Sequence, residues 1–283
     1  MNDRLTVAIQ GERASYHDLA ARSYFHRPVQ VQECRTFRQV CAAVLEGRAD
    51  LGVMAIENSL AGSLLPNYSL LESHPLFIEG EIYLPIHQCL MALPGQTLAD
   101  IHTVRSHPMA LHQCSEFLER HPALRAMEAF DTAGSAREIR EQGLRGVAAI
   151  AAGEAARRYQ LTILARGIEN QRENYTRFLV IGGRPPQPTP AADKASLSFR
   201  VAHRPGALVE VLEIFRRHRI NLTLIQSVPI PGRPTEYAFH VDITWAAPEA
   251  FQEAIHTVRE LAAGFKLLGI YKAGELPHDH PRG

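Results

Sequence analysis

Short apolar runs alternate with amphipathic segments through the first two thirds of the 283-residue chain, and this alternation most constrains its fold. The first five segments are predicted as strand, helix, strand, helix and strand at 5–10, 15–25, 29–33, 37–47 and 50–56. Strands that alternate with helices are typical of a parallel sheet, because neighbouring parallel strands need a long crossover connection. The N-terminal part therefore predicts an α/β domain.

A second α/β series follows a long extended region at 78–93. It predicts strands at 103–106, 126–130 and 147–151, and helices at 109–121, 133–142 and 153–159. Two such series predict two lobes, one of about 1–80 with 175–185 and one of 84–170. The chain would cross in the extended region and return in the buried run 178–181, which we interpret as a parallel strand. Ligands would bind in the central cleft, near strand carboxyl ends and helix amino ends.

The composition changes sharply in "GGRPPQPTPAADKA", residues 182–195, which contains four prolines and has no apolar face. We interpret 186–194 as a semi-rigid linker that ends a catalytic domain of residues 1–185. Residues 195–274 then read as strand, helix, strand, strand, helix and strand, the order of a ferredoxin-like βαββαβ unit. The polar, proline-containing residues 275–283 are predicted to be a flexible tail.

The charge and cysteine content exclude several classes of partner. Thirty basic and thirty acidic side chains balance, so we expect neither nucleic acid nor a membrane surface as partner. No run approaches the roughly 20 apolar residues of a membrane helix, and the N-terminus lacks a signal-peptide core. The four cysteines form no CxxC pair, which predicts reduced thiols in a cytoplasmic protein. Because metal-ligand spacings and phosphate-binding loops are also missing, we expect no metal and no cofactor.

Four polar stretches lie at the ends of predicted elements, where backbone donors are free. Their candidate residues are Asn58, Ser59, Gly62 and Ser63 in "IENSLAGS", Ser106 and Gln113 in "VRSHPMALHQC", Thr132 in "DTAGSAREI", and Thr176 and Arg177 in "NYTRF". Ser106 and Gln113 are seven positions apart, so a helix would place both over one face. A hydroxyl beside a cation in a dry cleft can donate a proton. Helix caps, turns and a strand entry also explain the same residues, and the residues alone leave both interpretations open.

The same stretches resemble, in order, the motifs of a known family. "MAIENSLAGSLLPNYSLL", "VRSHPMALHQCSEFL", "DTAGSAREI" and "NYTRFLVIG" are similar to those of prephenate dehydratase. "PGALVEVLEIFRRHRINLTLIQSVPI" and "EYAFHVDI" resemble the ACT regulatory domain that commonly follows it. The resemblance covers nearly the whole chain. It implies a two-lobed, periplasmic-binding-protein-like catalytic domain with a central cleft, followed by an ACT domain.

The resemblance also implies a reaction and the residues that carry it. The family converts prephenate to phenylpyruvate in phenylalanine synthesis, with loss of water and carbon dioxide and without a cofactor. By motif, Thr176 is expected at the leaving ring hydroxyl, and Arg177 would anchor a carboxylate or order the threonine. The expected substrate contacts are Asn58, Ser59, Gly62, Ser63, Ser106, Gln113, Thr132 and Phe178, with N–H groups of the 58–63 turn offered to a carboxylate.

The resemblance to the ACT domain implies phenylalanine as an effector, bound by Gly206, Ala207 and Leu208 together with Gln226 and Ser227. Here the family's Glu-Ser-Arg-Pro motif reads Gln-Ser-Val-Pro, which removes a possible ion pair with the effector. A smaller departure is Ala14, where the family usually has glycine. ACT units commonly pair through their edges, so a homo-oligomer is expected.

Two alternatives stay open from the sequence. The substrate is prephenate or its amino analogue arogenate, from which the enzyme would make phenylalanine directly. From another class, a two-lobed protein with an ACT domain could sense a ligand without turning it over. A hydroxyl donor at Thr176 would have no use in such a sensor.

Overall fold

The computed structural model describes residues 4–187, 189–230 and 236–277. They form a first lobe, a second lobe and a C-terminal domain, and the strands of these three parts belong to two sheets. Residues 278–283 of the predicted tail lie outside the described residues. The two-lobed α/β architecture and the βαββαβ domain predicted from the sequence are confirmed.

The first lobe contains the N-terminal α/β series and two long strands that lead to and from the second lobe. Its elements are β1 (Thr6–Gln10), α1 (Tyr16–Phe25), β2 (Gln30–Cys34), α2 (Phe37–Leu45), β3 (Leu51–Asn58), β4 (Gly62–Ser63), α3 (Leu65–Ser73), β5 (Phe77–Pro85) and β11 (Tyr175–Gly182). The strand order is β5-β11-β3-β1-β2, and β1 is parallel to both of its neighbours. Side chains such as Ile9, Met54 and Val180 fill the core on the two faces.

The second lobe has a sheet of its own. Its elements are β6 (Cys89–Ala92), β7 (Thr103–Ser106), α4 (Pro108–Gln113), α5 (Ser115–Glu119), β8 (Arg125–Glu128), α6 (Thr132–Gln142), β9 (Val147–Ala151), α7 (Gly153–Tyr159) and β10 (Thr162–Arg166), with a 3-10 turn at Leu98–Asp100. The strand order is β10-β6-β9-β7-β8. The chain enters this lobe between β5 and β6 and leaves it between β10 and β11, so it crosses the cleft twice.

The C-terminal domain consists of β12 (Lys194–Arg200), α8 (Ala207–Arg217), β13 (Asn221–Pro229), β14 (Tyr237–Thr244), α9 (Pro248–Leu261) and β15 (Ala263–Tyr271). Its antiparallel strand order, β13-β14-β12-β15, is that of a ferredoxin-like sheet. Gly269 of β15 pairs with Ile78 of β5, which joins this sheet to that of the first lobe. Both α8 and α9 are amphipathic, and their apolar faces cover one side of the sheet.

Three local predictions were wrong. The run 178–181 belongs to a strand that is antiparallel to both β3 and β5, because the chain returns from the second lobe at the opposite end of the sheet. Residues 61–63 do not open a helix. Gly62 has a φ of 78°, outside the helical region, and pairs with Asn58 before α3 begins at Leu65. Ser106 ends a strand and Gln113 ends a helix, so helical spacing does not relate the two side chains.

Candidate active site

Two polar side chains meet where β3 and β11 end side by side. Asn58 and Thr176 are a directly paired couple of the antiparallel ladder. The Asn58 amide nitrogen donates to the Thr176 hydroxyl oxygen over 3.0 Å. Both residues are less than a tenth exposed. The sequence separates them by 118 positions, and the return of the chain from the second lobe brings them together.

The orientation of the Asn58 amide is fixed by its other hydrogen bonds. Its oxygen accepts from the backbone N–H groups of Leu60 and Ala61, at 3.1 and 2.9 Å. Because an amide oxygen so placed leaves the NH₂ group on the other side, the nitrogen must face Thr176. The Thr176 oxygen is therefore an acceptor in this bond, and its own hydrogen is free for another acceptor. A hydroxyl that accepts one hydrogen bond also becomes a stronger donor.

Backbone groups of the 58–63 turn are occupied by the protein. The N–H of Ser59 donates to the Tyr175 carbonyl, and those of Leu60 and Ala61 donate to Asn58. The Ser59 hydroxyl accepts from the N–H of Tyr175 over 2.9 Å. Of the N–H groups predicted to bind a substrate carboxylate, those of Asn58, Ser59 and the Gly62–Ser63 turn, the one of Ser59 is already bonded within the protein. The role of the others stays a prediction. Gly62 and Ser63 complete the turn as β4, and the whole hairpin braces the start of β11.

Arg177 points away from Thr176 because successive side chains of a strand face opposite sides of the sheet. Arg177 is 3% exposed, and its guanidinium lies 2.6 Å from Glu81 and 2.5 Å from Asp242 of the C-terminal domain. It also donates to the Tyr271 hydroxyl. Burial opposes the charge of Arg177, but Asp242, Tyr271 and Glu81 together raise its pKa. Because protein groups surround this cation, its contacts favour the second of its two predicted roles, ordering the threonine, over anchoring a substrate carboxylate.

Phe178 is a core residue, 1% exposed. Its ring meets the His17 ring edge-on at 5.1 Å. The Nε2 atom of His17 accepts from the N–H of Ala55, so a neutral His17 carries its hydrogen on Nδ1. Burial lowers the pKa of His17 to about 3, and the ring is neutral at physiological pH. Phe178 and His17 thus support the wall behind the β3 and β11 ends.

Ser106, Gln113 and Thr132 belong to the second lobe. Ser106 is fully buried, and its hydroxyl donates to the Ile150 carbonyl over 2.6 Å, so it is bonded within its own lobe. The backbone carbonyl of Gln113 accepts from the N–H of Asn170, in the segment that leads back to β11. Thr132 is the first residue of α6, directly after its N-cap. Among the described residues, no hydrogen bond joins these three side chains to Asn58 or Thr176.

The two lobes touch at the N-terminal end of α6. The N-cap of this helix, Asp131, accepts from the N–H of Gly134, and a Cβ on Gly11 would lie 2.6 Å from its carboxylate. Glu12 of the first lobe is ion-paired with Arg137 of the second at 2.9 Å. Burial raises the pKa of both Asp131 and Glu12. A cavity of about 380 Å³ opens between these residues, at the seam of the lobes.

The residues predicted to bind an effector fall into two groups. Gly206, with a φ of 80°, precedes α8, and together with Ala207 and Leu208 it lines a cavity of about 640 Å³. Gln226 and Ser227 lie on β13 and do not line that cavity, and the Gln226 amide donates to the Ser227 carbonyl.

Sequence reasoning missed four residues around the site. Asn174 is fully buried, and its amide oxygen accepts from Asn58 over 2.7 Å. Its position in the motif "NYTRF", close to Thr176 and Arg177, could have identified it as a site residue. Glu81, Lys194 and Asp242 surround Arg177. Isolated charges in a predicted extended region and a predicted strand were the signal for Glu81 and Asp242, whereas Lys194 lies in the predicted linker. Among residues 4–187, 189–230 and 236–277, no cluster of His, Cys, Asp or Glu could hold a metal ion, and no helix could span a membrane.

Comparisons with known proteins place this arrangement in a family. A family model for prephenate dehydratase matches residues 7–186, and one for the ACT domain matches residues 195–244. The chain belongs to the prephenate dehydratase family. Arogenate dehydratase/prephenate dehydratase 2 of Arabidopsis thaliana, a chloroplastic protein, is 37% identical over 95% of this chain and 73% of its own length.

Three other known proteins are similar to this chain over 90% or more of their own length. A bifunctional N-acyl-homoserine lactone acylase/prephenate dehydratase of Komagataeibacter europaeus is 36% identical over 96% of this chain and 98% of its own. The structure of prephenate dehydratase from Arthrobacter aurescens in complex with L-Phe has a TM-score of 0.83 and 27% identity, and covers 95% of this chain and 90% of its own. The structure of GqqA, described as a quorum-quenching acylase, has a TM-score of 0.85 and 35% identity over 95% of this chain and 98% of its own.

Proposed function

We propose that this protein is a prephenate dehydratase, a lyase that converts prephenate to phenylpyruvate, water and carbon dioxide. The electrons of the breaking bond between the ring and its carboxylate enter the ring, and the C4 hydroxyl leaves. The leaving oxygen takes up one proton and departs as water, so the ring becomes aromatic. The reaction needs a proton donor and groups that hold two carboxylates, and it needs no redox cofactor.

One observation carries this proposal: the Thr176 oxygen accepts from an amide whose orientation is fixed, which leaves the threonine hydrogen available. A threonine hydroxyl is a weak acid in water, but in a buried site it can donate a strong hydrogen bond to a developing hydroxide. Asn58 holds the Thr176 oxygen in place and stabilises the negative charge that grows on it. We assign Thr176 as the catalytic donor and Asn58 as the residue that orients it.

The substrate would lie in the cleft between this pair and the second lobe. Gln113 and Thr132 are our proposed contacts from that lobe. Gln113 ends α4, and Thr132 begins α6, whose N-terminal end touches the first lobe. Ser59, Gly62, Ser63, Ser106 and Phe178 act indirectly in this proposal, since their contacts are internal and shape the walls of the site. Arg177 is likewise a positioning residue.

The proposal is tested by incubating the purified protein with prephenate and following phenylpyruvate by its ultraviolet absorbance. The same assay with arogenate, followed by release of phenylalanine, tests the alternative substrate, because several relatives carry arogenate dehydratase in their names. We expect a higher kcat/KM for prephenate than for arogenate. A protein that converts neither prephenate nor arogenate would contradict the proposal.

We further propose that phenylalanine binds the ACT domain and that the protein forms a homo-oligomer in the cytoplasm. The relative from Arthrobacter aurescens was solved with L-Phe, and the cavity at Gly206–Leu208 could hold an amino acid of that size. All four cysteines are buried and free, which suits a reducing compartment. Isothermal titration with phenylalanine and sedimentation analysis test the first two statements.

A second candidate activity comes from the Komagataeibacter europaeus relative, whose name joins acyl-homoserine lactone acylase to prephenate dehydratase. Its similarity extends over 98% of its length, so this chain has counterparts for nearly all of its residues. The test is release of a free homoserine lactone from an N-acyl-homoserine lactone. Activity lost together with dehydratase activity in one variant would place both reactions in one site.

A further inference from the structure

A cluster of buried charges lies on the far side of the strand that carries Thr176. It contains Glu81 of β5, Arg177 of β11, and Lys194 and Asp242 of the C-terminal domain. The Lys194 amine lies 2.8 Å from Glu81, and the Arg177 guanidinium contacts both carboxylates. All four residues are less than 5% exposed. The Ser196 hydroxyl donates to Asp242, and the Tyr271 hydroxyl contacts both Ser196 and Arg177.

Each of the two domains contributes one cation and one anion to the cluster. Arg177 and Glu81 come from the first lobe, whereas Lys194 and Asp242 come from the C-terminal domain. Two cations face two anions, so the assembled cluster is neutral. Removal of one carboxylate from such a buried group leaves an uncompensated charge, which is strongly destabilising and drives the remaining side chains apart.

The strand ladder is irregular beside this cluster. Arg177 is opposite Glu57, but Phe178 is opposite Ala55, so Ile56 is an extra residue on β3. The Ile56 carbonyl accepts from the N–H of Leu64 instead, which takes it out of the ladder. A bulge of this kind loosens the pairing and redirects neighbouring side chains. The pairing with β3 is therefore interrupted directly after Arg177, whereas Tyr175 to Val180 pair regularly with β5 on the other side.

We propose that Glu81, Lys194 and Asp242 are positioning residues for Thr176, which they control through Arg177. The Arg177 guanidinium anchors β11 beside the bulge, and this anchor holds Thr176 against Asn58 on the opposite face. The C-terminal domain thus forms part of the support of the reactive hydroxyl, at a distance from any ligand site of its own. The link to turnover rests on the dehydratase function proposed above.

Asp242→Asn tests the proposal, with Ser198→Ala as a matched control. Ser198 lies on β12 at the same domain interface and donates to Glu72 over 2.7 Å, but it contacts no member of the cluster. Hydrogen–deuterium exchange reports the anchor without any need for activity. We expect exchange at the amides of residues 175–177 to be at least tenfold faster in Asp242→Asn and unchanged in Ser198→Ala.

Turnover of prephenate gives the second readout. We expect Asp242→Asn to lower kcat five- to twentyfold with KM within twofold of the wild-type value, since Thr176 is displaced without loss of a substrate contact. Adding Lys194→Met to Asp242→Asn restores a neutral cluster of Arg177 and Glu81. The double variant should therefore recover part of kcat, a non-additive result that a purely structural weakening would not give.

Each outcome bears on the proposal. Unchanged exchange at residues 175–177 in Asp242→Asn, or equal acceleration in Ser198→Ala, would overturn it. If Asp242→Asn does not fold, the double variant Asp242→Asn/Lys194→Met is compared with Ser198→Ala instead. Exchange rates and a kcat equal to those of the wild type in this double variant would overturn the role of Asp242. Faster exchange in a protein whose wild type does not convert prephenate would support the anchor and reject the proposed dehydratase function.

Discussion

At the residue scale, the account depends on which atom of the Asn58–Thr176 pair is the donor. Two backbone N–H groups hold the Asn58 oxygen, and this forces the amide nitrogen toward the threonine. The hydroxyl hydrogen of Thr176 is then the one that can be offered to a substrate. The Asn174 amide oxygen and the Tyr175 carbonyl also accept from the Asn58 amide nitrogen. The donor direction is thus set by the turn after β3, outside the reactive pair itself.

Asn58→Asp reverses that direction and keeps the shape of the side chain. The carboxylate can still accept from Leu60 and Ala61, but its second oxygen would accept the Thr176 hydrogen. We expect kcat on prephenate to fall about 100-fold, within the range for loss of one aligned donor. Thermal unfolding reports whether the fold is kept, and a folded variant with near-wild-type kcat would refute the donor assignment.

At the element scale, the turn between β3 and α3 requires a left-handed backbone conformation at one residue. Gly62 has a φ of 78°, and no atom lies near the place of a Cβ on it. An alanine would therefore meet no clash, and its cost would come from the left-handed backbone alone. The same turn supplies the N–H groups that hold Asn58.

Gly62→Ala should destabilise the protein by about 1–2 kcal/mol, the cost of a left-handed conformation for an ordinary residue. Gly183→Ala is the control, because Gly183 also has open space around it but a φ outside the left-handed region. Urea unfolding of both variants measures the difference. Equal stabilities would show that the turn relaxes at no cost.

The elements also show how far the sequence could predict this molecule. Apolar periodicity predicted both α/β series and the C-terminal βαββαβ order, because it reports which face of each element is buried. The direction of the strand at 175–182 was missed, since the same apolar run suits a parallel or an antiparallel strand. The partners of Arg177 could not be predicted from the sequence either, because Asp242 is 65 positions away (242 − 177) and only the fold brings it near.

At the scale of the whole molecule, the first lobe and the C-terminal domain contact each other through polar as well as apolar groups. His240 lies in this interface, 2% exposed, with its ring 5.2 Å from that of Tyr68 on α3. Burial lowers its pKa to about 4, while Glu72 and Asp242 oppose this shift and Lys266 adds to it. An imidazole that stays neutral in the folded protein but is protonated in the unfolded chain links stability to pH.

The sign follows from proton binding. The unfolded chain takes up a proton at His240 near pH 6.5, but the folded protein does so only near pH 4. Stability therefore falls as the pH is lowered through this window, by about 2 kcal/mol at pH 5 from this residue. His240→Gln should lose less stability than the wild type between pH 7 and pH 5 in urea unfolding. Identical losses would exclude His240 as a source, and His17 would then be the next residue to substitute.

The central claim is that the Thr176 hydroxyl donates to the leaving oxygen of prephenate, and the kcat of Thr176→Val tests it most directly. Valine keeps the size and branching of the side chain and removes only the hydroxyl, while Thr176→Ser keeps the hydroxyl and serves as the control. We predict a fall in kcat of at least about 100-fold for valine and at most about tenfold for serine, with KM little changed in both. A folded Thr176→Val protein that turns over prephenate at close to the wild-type rate would contradict the account.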